Sequence, residues 1–108
     1  MKQSTINFKV ELDDKNTPER IIWDAPDKPD ELSETKSISL SLWDHVQKNT
    51  LRIDLWTKDM PINEMKRFYI DCLGGLAQSS LSATGDEYMS KEMNNLCEKL
   101  AKHLKEKG

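Results

Sequence analysis

Two runs of strict alternation constrain this chain more than any other feature. Residues 36–44 set Ile38, Leu40 and Leu42 on one side and Ser39, Ser41 and Trp43 on the other; residues 50–57 set Leu51, Ile53 and Leu55 against Arg52, Asp54 and Trp56. A period of two belongs to a strand with one apolar face, so the runs predict an antiparallel hairpin. Closed through the loop 46–49, the hairpin sets Leu42 opposite Ile53, Leu40 opposite Leu55 and Trp43 opposite Arg52. Both indoles then share the polar face, because a slip of one residue would mix apolar and polar side chains on each side.

The remaining elements follow from the same kind of pattern. Ile6, Phe8, Val10 and Leu12 alternate with Asn7, Lys9 and Glu11, DDKNTP supplies turn residues, and ERIIWDA continues as a second β-branched run. A first hairpin is expected, with its register open. PDKPDELSET, residues 26–35, carries two prolines and five acids and reads as a crossing loop. After Asp59 as a cap, Pro61 suits the first turn of a helix with the stripe Met65, Tyr69, Cys72, Leu73 and Leu76. Gly85 stops that helix and Asp86 caps a second, with the stripe Met89, Met93, Leu96, Cys97, Leu100 and Leu104.

Folded back about Gly85, these stripes pair Met65 with Leu104, Tyr69 with Leu100, Cys72 with Cys97 and Leu76 with Met93, as in a helical hairpin. The double glycine at 74 and 75 is read as a close-packing point among small neighbours. The expected class is α+β: a four-stranded antiparallel sheet of two β-hairpins over residues 5–57, followed by an antiparallel two-helix hairpin over 60–107 packed on the aliphatic face. The whole of 1–108 is expected to form a single domain.

Of the 108 residues, 36% are hydrophobic and 32% charged, with a formal net charge of −3. That composition suits a soluble globular domain, gives no field to gather a phosphate backbone, and leaves nucleic acid out as a partner. The longest uncharged apolar stretch, around 72–77, is too short to span a bilayer, so no membrane insertion is expected. The N-terminus lacks the pattern of a secretory signal, which implies a cytoplasmic address.

His45 and His103 offer no spacing that closes on a metal, and neither a nucleotide loop nor a nucleophile–base arrangement is present. No catalytic residue, no cofactor and no metal are therefore assigned, and the chain is read as non-enzymatic. Cys72 and Cys97 read as small buried hydrophobes, with a redox pair as the alternative. Trp43 and Trp56, with Arg52 between them in the polar face, have the composition of protein-interface anchors. Two other readings stand beside that one: cover by the crossing loop with Leu32, and a small ligand.

The segments IIWDAPDKPDE, SISLSLWDH, TLRIDLWTKDMP, NEMKRFYIDCLGGLAQSSL and ATGDEYM resemble the gliding-motility protein GldC family over essentially the whole chain. The resemblance implies a small soluble protein associated with surface gliding and its secretion machinery, a protein-binding subunit or adaptor, with no enzymatic activity or cofactor. A weaker likeness in element order is to the SecB export chaperones, acidic chains that assemble as tetramers, and it frames a chaperone-type binder of export clients as the alternative. An unrecognised enzyme is the third reading. The expected partner is another protein or a second copy of the chain.

Overall fold

A computed structural model describes residues 2–26 and 34–107. The chain divides into two compact units, Met1–Met60 and Pro61–Gly108. In the first, β1 (Asn7–Leu12), β2 (Pro18–Asp24) and β3 (Glu34–Thr35) form one antiparallel sheet in that order, and β4 (Ser37–Asp44) with β5 (Asn49–Trp56) forms another. The expected four-stranded sheet is thus replaced by a sheet of three strands and a ribbon of two. The end of the expected crossing loop, Glu34–Thr35, is itself a strand paired with Ile21 and Ile22. The rest of that loop, with Leu32 and its suggested cover over the tryptophans, lies outside the described residues.

The β1–β2 hairpin turns on Asp13. Its Oδ1 accepts from the backbone N–H of Lys15 at 2.8 Å and of Thr17 at 2.9 Å, and Asn16 takes the left-handed φ of 62° that asparagine tolerates. The register pairs Phe8 with Trp23 and Val10 with Ile21. One face of the sheet therefore carries Phe8, Val10, Ile21 and Trp23, with Ile21 fully buried at its centre. The third tryptophan of the chain belongs to this inner layer and is half-buried.

The strand segment 34–44 changes sheets at Lys36. The Lys36 carbonyl accepts from Thr57 N at 2.8 Å, and the Lys58 N–H donates to the Pro18 carbonyl at 3.0 Å, so the end of β5 is tied to the start of β2. Charged side chains close the same corner. Lys58 Nζ lies 3.0 Å from Asp13 Oδ2 and 3.1 Å from Glu19 Oε1, and Lys36 Nζ lies 3.0 Å from Asp59 Oδ2. Asp59 also accepts from Thr57 Oγ1 at 2.7 Å, with Thr57 only 1% exposed. Asp59 is thereby committed to the corner and does not cap the first helix.

In the second unit, α1 (Ile62–Thr84) starts from Pro61 as the N-cap residue, with no side-chain cap, and ends at Gly85, whose φ of 73° allows its N–H to reach Leu81 O. Asp86 Oδ1 accepts from Met89 N at 2.9 Å at the start of α2 (Glu87–Lys107), the cap expected from the sequence. No helix among the described residues is long and apolar enough to cross a membrane.

The seam between the helices is not the one the apolar stripes suggest. Ser90 Oγ donates to Ala77 O at 2.8 Å, Cys97 Sγ meets Ile70 O at 3.8 Å, and a Cβ built on Gly74 would stand 3.8 Å from Cys97 Sγ. Small side chains let the helices approach, while Tyr69, Leu76 and Leu96 remain 44%, 50% and 47% exposed. No disulfide joins Cys72 and Cys97.

Candidate functional site

The β4–β5 ribbon carries the residues singled out as contact candidates. Its register pairs Ile38 with Leu55, Leu40 with Ile53 and Leu42 with Leu51 on one side, and Ser37 with Trp56, Ser39 with Asp54, Ser41 with Arg52 and Trp43 with Thr50 on the other. Trp43 and Trp56 lie on the face opposite Leu40, Leu42, Ile53 and Leu55, as alternation requires. The expected partners are displaced by one step on each strand, because the loop closes over residues 45–48 and not 46–49. Asp44 fixes it: its Oδ2 accepts from the N–H groups of Val46 and Gln47, its carbonyl accepts from Lys48 N at 2.9 Å, and Lys48 adopts a φ of 58°.

This register puts the indoles at opposite ends of the polar face. Six residues of strand separate the pair that holds Trp43 from the pair that holds Trp56, a span of about 20 Å. Trp43 is 65% exposed and Trp56 48%. Trp56 borders a shallow depression lined by Asn16, Thr17, Pro18, Asp54, Leu55 and Lys58.

Between the indoles runs a hydrogen-bonded polar lattice. Arg52 forks onto Asp54, with Nη2 2.9 Å from Oδ1 and Nε 3.3 Å from Oδ2, and also donates to Ser39 Oγ and Ser41 Oγ. Ser39 Oγ donates to Asp54 Oδ1 at 2.8 Å. The hydrogen bonds from Arg52, then that from Ser39, hold the Asp54 carboxyl below its ordinary value of 3.8. Since the guanidinium donors are directed within the lattice, what Arg52 offers a partner is its flat face, a surface suited to stacking.

The charged corner formed by Asp13, Glu19, Lys36, Lys58 and Asp59 was not visible in the sequence, where Asp13 and Lys58 stand 45 residues apart. Among the described residues no group of three or more His, Cys, Asp or Glu could hold a metal.

An α+β chain with a two-stranded ribbon, a helical hairpin and the sequence words quoted above points to one group of proteins. Residues 18–106 match the family described as gliding motility-associated protein GldC-like, and the chain belongs to that family. No curated protein and no solved structure gives a significant match to the chain.

Proposed function

We propose that this GldC-like chain is a non-enzymatic, cytoplasmic component associated with gliding motility that works by binding another protein through the polar face of the β4–β5 ribbon. The observation that carries the reading is the placement of Trp43 and Trp56, exposed at the two ends of a face whose centre is the Arg52–Asp54–serine lattice. Large rigid aromatic area is what interface anchors supply, and a span of about 20 Å between anchors fits a modest protein patch. A small ligand would call for a concave apolar pocket, and the depression beside Trp56 is shallow and partly charged.

The test is crosslinking and pull-down from the native cell with Trp43→Ala and Trp56→Ala beside the wild type. Each substitution is expected to weaken capture of the specific partner by about 1–4 kcal/mol while the unfolding temperature changes little. Equal losses of folding and capture in both variants would return the tryptophans to a structural role. The chaperone-type alternative predicts competition by many unrelated extended peptides, and the adaptor reading predicts none.

A further inference from the structure

We propose that α2 pairs antiparallel with α2 of a second copy of this chain, joining two helical hairpins across a twofold axis between Asn94 and Asn95. The first observation is surface. The chain exposes 8949 Å², whereas the scaling for folded monomers gives about 7,400 Å² even when units of this size are counted as folding separately. The excess, about 1,500 Å² per chain, amounts in two chains to the area an obligate homodimer buries.

The second observation is where α2 is open. Ser90 and Cys97 face α1 through their contacts with Ala77, Ile70 and Gly74. Beside that line Met89, Met93, Leu96, Leu100 and His103 recur at alternating spacings of four and three, the heptad rhythm of a helix that packs on another. Met89 and Leu96 remain 49% and 47% exposed, and Met93 and Leu100 are half-buried. The packing within the hairpin uses one flank of the helix and leaves this seam uncovered.

The third observation is charge, and it selects the orientation. Antiparallel packing that alternates the two seam positions sets Met89 against Leu100 and Met93 against Leu96 of the second copy. The seam's other flank, away from α1, is occupied by Glu92 and Lys99, both exposed. In that register Glu92 of each copy meets Lys99 of the other, giving opposite charges on both sides of the axis. A parallel pairing would instead set Lys99, Lys102 and Lys105 beside their own counterparts.

Sedimentation equilibrium of the full chain tests the pairing. The wild type is expected at twice the chain mass. Glu92→Lys and Lys99→Glu should each raise the dimer dissociation constant by about tenfold, since each replaces symmetry-related attractions with repulsions. The combined exchange should restore the wild-type value. Because both positions are exposed, helical circular dichroism should be the same in all four proteins. A wild type that stays monomeric at every concentration overturns the proposal. So does a dimer indifferent to the single exchanges, or a combined variant that remains as weak as either one.

Discussion

Replacing both Gly74 and Gly75 by alanine should stabilise the protein. Both lie inside the unbroken helix α1 with ordinary negative φ, unlike Gly85. A Cβ at Gly75 meets nothing within 4 Å, and one at Gly74 meets Cys97 Sγ at 3.8 Å, an ordinary van der Waals contact. Each glycine therefore costs helix propensity without being required by a neighbour in the chain, about 0.8–1 kcal/mol apiece. The double variant should gain about 2 kcal/mol. For a chain this small that corresponds to a rise of about 8 °C in the melting temperature of the helical circular dichroism signal. Gly85→Ala provides the opposite sign. At a φ of 73° the added Cβ costs about 1–2 kcal/mol, so that variant should melt earlier. A double variant that melts at or below the wild-type temperature would refute the reasoning and show that the glycines accommodate a close neighbour from outside the chain.

Acid should loosen the first unit. Asp13, Asp54 and Asp59 are all held below 3.8, by the Thr17 backbone N–H and Lys58, by Arg52 and Ser39, and by Thr57 and Lys36 respectively. A depressed carboxyl stabilises fully above its unfolded value and loses that contribution as pH falls through its folded value. Carboxyl titration by NMR should place all three midpoints below 3.8, and a midpoint at or above it for Asp54 would contradict the lattice. Ser90→Ala removes a buried hydroxyl that donates to Ala77 O at 2.8 Å, and chemical denaturation should show a loss of about 1 kcal/mol. An unchanged midpoint would mean that the contact contributes nothing.

What the sequence made legible was parity, and what it hid was register. Alternation in 36–44 and 50–57 settles which side chains share a face, but any even shift leaves that pattern intact. Only the turn decides between Trp43 opposite Arg52 and Trp43 opposite Thr50, and this turn rests on Asp44 and a left-handed lysine, not on the glycine or asparagine that would have announced it. The helix ends were readable because Gly85 and Asp86 do local work. The helical seam was not, because hydrophobicity ranks Leu76 and Leu96 above Ala77 and Ser90, whereas close approach favours small side chains and a hydroxyl that can reach a carbonyl. The split into two sheets was hidden for a similar reason. Glu34 and Thr35 look like loop, and their pairing with β2 becomes visible only once β2 is in place.

The sheet change at Lys36 bears on how chains of this kind can vary in length. Just one residue lies between β3 and β4, and it is fixed on both sides, by its carbonyl to Thr57 and by its ammonium to Asp59. An insertion there would invert the parity of everything that follows in β4, turning Leu40 and Leu42 to the tryptophan side and Trp43 to the aliphatic side. The turns at 13–17 and 45–48 can lengthen without that penalty, since each joins strands whose faces are set independently. Length differences among related chains should therefore collect in those turns, and the step across Lys36 should keep its count.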